Sequence, residues 1–238
     1  MYLFYSSENI GQIHVLSEQE SKHIVKALRL RKGDELHLTD GKGNLYLTKI
    51  IDDNIKACVV EVVLQCEDNN RLSYHLHIAI APTKNSDRLE WFVEKAVEIG
   101  ISHITTLVCE HSERVSIKKE RIERLMISAM KQSLRTELPA FNESVLFEDF
   151  IRQQRNRYGQ KYIAYCGILE KEPPLLKSVY KSNTDTLVLI GPEGDFSPEE
   201  VNMSIENGFI PVSLGKSRLR TETAALLACA TVQVINES

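Results

Sequence analysis

The 238-residue sequence lacks any long hydrophobic run, and its longest unbroken apolar stretch is residues 224–230. Because a bilayer span needs roughly 20 apolar residues, we expect no membrane segment. The opening Met-Tyr-Leu-Phe-Tyr has neither the basic start nor the apolar core of a signal peptide. Secretion is therefore not expected, and the protein is predicted to be cytoplasmic.

Cysteine is scarce, and no two cysteines form a Cys-x-x-Cys pair. An odd, scattered set of five argues against a disulfide framework and favours a reducing compartment. His75 and His77 point the same way on a predicted strand, yet no third ligand stands at a recognisable spacing. We expect strand packing for this pair and no metal.

The sequence also lacks the excess of basic residues that is typical of nucleic-acid binders, since 29 basic side chains face 33 acidic ones. Cations are nevertheless concentrated locally, with five basic and no acidic residues in 21–33 and seven basic against two acidic in 114–135. Such clusters can neutralise phosphates, but they can also be solvated helix faces. Charge alone leaves both interpretations open.

Residues 1–70 are predicted to form short strands around one helix. The strands are expected at 2–5, 13–16, 35–39, 45–51 and 55–64. Ser17 can cap the helix, and Glu20 stands where it would complete a capping box. Short strands that close on themselves indicate a small β-barrel, with a domain boundary in the polar stretch 67–70.

From residue 71 to 238 the pattern changes to strands that alternate with longer helices. Strands are expected at 75–81, 101–108, 162–166, 186–190 and 210–214, and helices at 86–100, 117–134, 147–157, 197–207 and 221–235. Gly100 suits the left-handed position after the first of these helices. This alternation is typical of an α/β domain with a parallel sheet covered by helices on both faces.

Two glycine loops follow predicted strands, where parallel sheets place their ligands. The first is Gly191-Pro-Glu-Gly-Asp-Phe196, ahead of a helix that Ser197 and Glu200 can cap, and the second is Gly215-Lys-Ser-Arg-Leu-Arg220. Neither matches a phosphate-binding fingerprint, and the carboxylates would repel a pyrophosphate. At adjacent strand ends they would suit a positively charged cofactor such as S-adenosylmethionine. The alternative is two ordinary turns.

Three stretches together resemble the ribosomal RNA small subunit methyltransferase E family of the SPOUT superfamily. They are Ile190-Gly-Pro-Glu-Gly-Asp-Phe-Ser197, Leu214-Gly-Lys-Ser-Arg-Leu-Arg-Thr-Glu-Thr-Ala224 and His23-Ile-Val-Lys-Ala-Leu-Arg29. Lys84, Arg88, Gln132 and Arg135 are supporting matches. The sequence departs from the family pattern where Asp195 replaces a glycine, at Ser217-Arg218, and at Val115 and Lys131.

The resemblance implies a PUA-like β-barrel followed by a SPOUT-type parallel-sheet domain with a C-terminal trefoil knot. It also implies a homodimer that uses S-adenosylmethionine to methylate ring N3 of one uridine in small-subunit (16S) ribosomal RNA, either as free RNA or in the assembled subunit. The cofactor-binding residues it implies are Leu189, Ile190, Gly191, Pro192, Glu193, Gly194, Leu214, Gly215, Leu219, Arg220 and Thr223.

Uridine N3 must lose a proton before it can accept a methyl group, so a nearby cation would help by stabilising the anion. Arg220 is the predicted catalytic residue, although a salt bridge to Glu222 or Glu193 would explain it equally well. The target base must be unpaired or flipped out. The predicted RNA-binding residues are Lys22, His23, Lys26, Arg29, Arg31, Lys84, Arg88, Arg114, Gln132 and Arg135.

Two other functions remain open on the sequence. One is a SPOUT methyltransferase that acts on transfer RNA or on another ribosomal RNA position. The other is a non-catalytic RNA-binding factor in ribosome assembly, which would keep the basic surfaces but need no cofactor. A nucleotide-dependent α/β enzyme is disfavoured, because the sequence lacks a phosphate-binding fingerprint.

Overall fold

The computed structural model describes residues 2–68, 71–113, 116–154, 157–167 and 171–237. The chain divides into two compact units, the first with residues 1–71 and 127–138, the second with residues 72–126 and 139–238. Within the described ranges, no helix is both long and apolar enough to cross a membrane. The same residues contain no group of three or more His, Cys, Asp or Glu side chains that could hold a metal ion.

Unit one is built on a five-stranded mixed sheet in the order β1-β3-β4-β5-β2. Its strands are β1 Leu3–Tyr5, β2 Ile13–Val15, β3 Glu35–Thr39, β4 Leu45–Asp52 and β5 Val59–Cys66. The β1–β3 pair is parallel and the other pairs are antiparallel. The strands surround a core that includes Phe4, Ile24, Leu36 and Val60. The predicted small β domain around one helix is confirmed, with β1 and β2 as the edges of its sheet.

The helix of unit one changes its geometry half-way along. Helix α1, Glu18–Lys22, begins as predicted at Ser17, whose Oγ accepts a hydrogen bond from the Glu20 backbone N–H at 3.3 Å. A π-helix, His23–Ala27, follows it, where one continuous helix was expected. The wider turn places the consecutive residues Ile24 and Val25 both in the core.

The second half of the predicted capping box is wrong. The Glu20 carboxylate accepts a hydrogen bond from Lys131 Nζ at 2.6 Å instead of one from the cap backbone. Lys131 lies on α3, Lys119–Gln132, in the part of that helix that belongs to unit one. A cation within reach is a stronger partner for a buried carboxylate than a neutral N–H group.

Unit two is built on a six-stranded, fully parallel sheet, as predicted. Its strands are β6 Leu76–Ile80, β7 His103–Val108, β8 Ala140–Leu146, β9 Gln160–Ala164, β10 Thr186–Ile190 and β11 Ile210–Val212. The sheet order is β11-β9-β10-β6-β7-β8. Strand β8 was not predicted, because its Ala-Phe-Asn-Glu-Ser pattern is mostly polar. The strands before the two glycine loops, β10 and β11, were expected to be neighbours. This prediction is wrong, because β9 lies between them.

Helices cover both faces of this sheet, which confirms the predicted layering. Besides α3 they are α2 Ser86–Ile99, α4 Phe147–Gln153, α5 Leu176–Val179, α6 Pro198–Glu206 and α7 Thr221–Asn236. On one face Ala79, Leu187 and Ile163 form a core with Phe150 of α4 and Val201 of α6. Helix α7 packs against α2, α5 and strands β6 and β10.

Candidate functional site

The glycine loop after β10 is shaped by Asp195. This residue has φ +63°, in the left-handed region that favours glycine and that aspartate tolerates better than most residues. Its carboxylate accepts hydrogen bonds from the backbone N–H groups of Phe196 at 2.9 Å and Cys166 at 3.0 Å. The family pattern has glycine here, so Asp195 keeps the backbone shape and adds two contacts that glycine cannot make.

Gly191 and Gly194 are needed for a different reason, because neither has a left-handed φ. A Cβ on Gly191 would lie 3.1 Å from the Phe196 ring, and one on Gly194 would lie 3.0 Å from His111 Cβ. The Phe196 ring is buried against Phe147, with 5.5 Å between ring centroids. The loop backbone is therefore packed so closely against these side chains that an added methyl group would require them to shift.

The helix after this loop begins as predicted. Ser197 and Glu200 form a complete capping box, and Pro198 occupies the first turn of α6. Glu200 is buried, and it also accepts a hydrogen bond from the Glu110 backbone N–H at 2.9 Å. One carboxylate thus joins the glycine loop to the segment that follows β7.

The second loop turns at Gly215, which has φ +136° and open space where a Cβ would stand. Its backbone N–H donates to Ser213 Oγ at 3.2 Å. At the end of the loop, Thr221 Oγ1 donates to the Gly191 carbonyl at 3.1 Å. This bond brings the two loops together even though their strands are not neighbours, so the predicted pairing of the loops is retained in the fold.

The residues predicted to bind a cofactor lie on these two loops or directly beside them in the sequence. Leu189 and Ile190 end the buried strand β10, Pro192 is buried, and Glu193 and Gly194 are exposed. Glu193 Oε1 accepts a hydrogen bond from the Lys84 backbone N–H at 3.1 Å. Leu214 and Leu219 are half-buried, whereas Thr223 is exposed on the first turn of α7.

Arg220 is the N-terminal cap residue of α7 and is exposed to solvent. Among the described ion pairs it has none, so neither of the salt bridges considered for it is present. Of the two carboxylates considered, Glu222 faces Arg88, with 3.9 Å between Arg88 Nε and Glu222 Oε1. The Arg220 guanidinium is therefore available for a ligand.

Lys84, just before α2, and Arg88, in its first turn, both have acidic neighbours. Lys84 Nζ lies 2.7 Å from Glu113 Oε2, and this hydrogen bond raises the pKa of Lys84. Arg88 lines a pocket of about 290 Å³ with Asp87, Trp91, Glu222 and Thr223. Sequence reasoning missed Trp91 altogether and considered Glu222 only as a partner of Arg220.

The basic residues predicted for RNA binding in unit one differ in whether they form ion pairs with carboxylates. Lys22 pairs with Glu18 at 2.7 Å, and Arg31 lies 3.6 Å from Asp53. Lys26 and Arg29 are exposed and have no ion pair among the described residues. Arg29, two residues after the π-helix, has φ +59°.

The remaining predicted RNA-binding positions are spread over the chain. The His23 ring packs edge-on against Phe4, with 5.7 Å between ring centroids. Gln132 is exposed at the end of α3, and Arg135 is half-buried in the segment after it. Arg114 lies outside the described residues.

The two strand histidines are not equivalent. His75 is exposed, whereas the buried His77 ring stacks on His103 at 4.1 Å and bonds to the Tyr158 hydroxyl at 2.6 Å and to Thr105 Oγ1 at 2.8 Å. Burial lowers the pKa of His77 to about 2. Strand packing is confirmed as the role of His77, which is held as a neutral ring.

Both units of the chain match known proteins. A model of an RNA methyltransferase domain matches residues 70–233, and a model of an RNA methyltransferase PUA domain matches residues 16–63. The crystal structure of a probable rRNA-methyltransferase from Porphyromonas gingivalis is 42% identical in sequence, with a TM-score of 0.92 over 100% of this chain and 99% of its own.

Two further relatives are named for a specific ribosomal RNA methyltransferase. A ribosomal RNA small subunit methyltransferase E from Neisseria gonorrhoeae, solved with S-adenosyl methionine bound, is 25% identical with a TM-score of 0.86, covering 99% of this chain and 98% of its own. A protein of that name from Buchnera aphidicola is 27% identical over 95% of this chain and 90% of its own length.

Proposed function

The chain belongs to the RNA methyltransferase domain family, and on that premise we propose that it methylates ring N3 of a specific uridine in small-subunit (16S) ribosomal RNA, with S-adenosylmethionine as methyl donor. One observation carries the proposal: the two glycine loops that match the family are joined by the Thr221–Gly191 hydrogen bond. This bond completes one compact region from segments about thirty residues apart in the chain.

The residues at the two loops fit the cofactor. Gly191 and Gly194 are closely packed against neighbouring side chains, while Gly215 has open space beside it. The exposed Glu193 carboxylate suits a cationic ligand and would repel a phosphate. The residues that would hold S-adenosylmethionine are Leu189, Ile190, Gly191, Pro192, Glu193, Gly194, Leu214, Gly215, Leu219, Arg220 and Thr223. When bound, it supplies a methyl carbon on a sulfonium sulfur, which keeps the bonding electrons on transfer.

Arg220 is the catalytic residue in this proposal. A uridine that has lost its N3 proton carries negative charge on N3 and on its two carbonyl oxygens. The exposed Arg220 guanidinium is not neutralised by a described carboxylate, so it can stabilise that charge. At saturating S-adenosylmethionine, where any loss of cofactor affinity is compensated, an Arg220→Ala enzyme should transfer the methyl group about 100-fold more slowly.

RNA phosphates would be held by basic and polar residues in both units. Such contacts position a substrate without reading its sequence. Lys26 and Arg29 are exposed and have no ion pair among the described residues, so both cations are available to phosphates. The complete proposed set of RNA-binding residues, whether they contact phosphates or bases, is Lys22, His23, Lys26, Arg29, Arg31, Lys84, Arg88, Arg114, Gln132 and Arg135.

The domain organisation and assembly that accompany this function are part of the proposal. Residues 1–70 would be the PUA-like RNA-binding domain, and residues 71–238 the SPOUT methyltransferase domain with its trefoil knot. Two copies would form a homodimer that covers exposed apolar side chains such as Leu227, which is 38% exposed on α7. The enzyme would act in the cytoplasm, where ribosomal subunits are assembled.

Methyl-labelled S-adenosylmethionine and small ribosomal subunits that lack the modification test the function directly. Because N3 methylation blocks the pairing edge of the base, primer extension should stop at a single uridine. Label in transfer RNA, or at another position, would instead indicate a different SPOUT target. Absence of both cofactor binding and label would favour the non-catalytic assembly factor.

A further inference from the structure

We propose that the pocket at the start of α7 is the subsite for the target uracil base, with Trp91 as its stacking surface and Glu222 as the acceptor of the N3 proton. The inference rests on the proposed function and identifies where that function reads and activates its substrate. It concerns only residues of unit two.

The pocket has the size and lining that a single nucleobase requires. Its volume of about 290 Å³ is close to the lower limit of the roughly 300–1,000 Å³ typical of small-molecule sites. Trp91, the only tryptophan in the sequence, is 44% exposed there. Proteins that bind unpaired bases commonly stack them on exposed aromatic rings of this kind.

The side chain of Glu222 is largely buried, but the neighbouring Arg88 does not form a hydrogen bond to it. Its side chain is 9% exposed, and Oε1 lies 3.9 Å from Arg88 Nε, which is too long for a hydrogen bond. Among the described residues no donor forms a hydrogen bond to this carboxylate, so it can accept one from a ligand. The loose pair leaves both Glu222 and Arg88 able to bond to an inserted base.

These groups match the pairing edge of uracil, on which two carbonyl oxygens flank one N–H. Arg88 and the Thr223 hydroxyl offer donors for the carbonyl oxygens, and Glu222 offers an acceptor for N3–H. Cytosine presents a lone pair at N3, which would face the Glu222 carboxylate and be repelled. The residues that line the pocket therefore favour binding of uracil over binding of cytosine.

The pocket is also in the right place for the reaction. Glu222 follows Thr221, whose hydroxyl holds the Gly191 carbonyl of the first glycine loop at 3.1 Å. Thr223, which lines the pocket, is also one of the residues proposed to hold the cofactor. A base in the pocket would thus lie beside the proposed methyl donor.

The proton step is balanced by groups that are present. The N3 proton passes to a Glu222 oxygen, which becomes a neutral carboxylic acid, and the electron pair stays on N3. That pair then forms the bond to the methyl carbon, while the adjacent Arg88 favours the transient negative charge on the base. The acid returns its proton to water after the methylated RNA leaves.

Trp91 fluorescence tests the subsite without requiring activity. Uridine 5′-monophosphate, added to the protein without cofactor, should quench the emission saturably and bind at least fivefold more tightly than cytidine 5′-monophosphate. Glu222→Gln should abolish this preference, whereas Glu237→Gln, at the exposed far end of α7, should retain it. Equal, non-saturating quenching by both nucleotides would overturn the subsite.

Single-turnover methylation of small subunits at saturating cofactor tests the role of Glu222. Loss of a general base should slow Glu222→Gln at least 100-fold, with Glu222→Asp intermediate. Trp91→Ala should raise the subunit concentration for half-maximal rate about 5- to 150-fold, and Trp91→Phe should be close to wild type. An inactive wild-type protein would refute the proposed function. An active wild type, with a Glu222→Gln variant that binds cofactor and reacts at the same rate, would refute only the subsite.

Discussion

Gly191→Ala adds one methyl group where the first glycine loop presses against the core. The new Cβ would lie 3.1 Å from two ring carbons of Phe196 and 3.2 Å from its backbone nitrogen. Phe196 is 2% exposed and packs on Phe147, so its ring has no solvent-filled space to enter. Gly191 does not have a left-handed φ, so the expected penalty is steric and comes from overpacking.

Overpacking of this kind costs about 1–3 kcal/mol. For a chain of this size each kcal/mol lowers the thermal midpoint by about 2–4 °C, so we expect a decrease of about 2–12 °C. Because the displaced backbone also belongs to the proposed cofactor site, titration calorimetry should show weaker binding of S-adenosylmethionine.

Gly11→Ala is the matched control, because its Cβ would make only an ordinary contact, 3.7 Å from the Ile13 carbonyl, at a position without left-handed φ. Its thermal midpoint and cofactor affinity should remain at the wild-type values. If Gly191→Ala also matched the wild type in both measurements, the Phe196 ring would be able to move at little cost. The reasoning that this loop is fixed by close packing would then be refuted.

Three other features of the chain can be tested by substitution. Burial lowers the pKa of His77 from 6.5 to about 2, so between these pH values the unfolded chain binds a proton that the folded chain excludes. The free energy of unfolding should therefore fall as the pH drops below about 6.5, by up to about 1.4 kcal/mol per pH unit. Urea unfolding at pH 7 and pH 5 measures this loss, which should be smaller in His77→Gln. Lys131→Met should cost about 1–3 kcal/mol in urea unfolding, because it leaves the buried Glu20 carboxylate without its cation, and adding Glu20→Gln should restore part of the loss. Lys26→Ala with Arg29→Ala should weaken RNA binding and reduce the slope of log affinity against log salt by about two. Lys177→Ala is the control, because it removes an exposed lysine of α5 that is outside the proposed RNA-binding set, and it should leave the slope unchanged.

Local signals predicted the elements of unit two well where backbone chemistry dictates the outcome. Ser197 and Glu200 can satisfy the first N–H groups of a helix in only one arrangement, and the structure contains it. Gly100 ends α2 with φ +112°, a conformation that side chains with a Cβ avoid. Such signals lie within a few residues of each other, so they do not depend on the rest of the fold.

Long-range pairing could not be predicted in the same way. Nothing in the sequence near β9 indicates that this strand lies between β10 and β11, because strand order depends on how the connecting helices pack. The π-helix at His23–Ala27 was missed for a similar reason. Its Ile24-Val25 pair satisfies an ordinary helical pattern, and only the surrounding core requires both side chains to be buried.

Trp91 shows what a stricter use of the same periodicity would have found. The buried positions of α2, which include Leu89, Phe92 and Val93, follow the helical repeat, and Trp91 does not belong to them. Single exposed apolar side chains are common on protein surfaces, so the helical pattern identifies Trp91 as exposed without indicating what binds there. The chemistry of that site depends on Glu222, which lies 131 positions later in the sequence and approaches Trp91 only because α7 packs on α2.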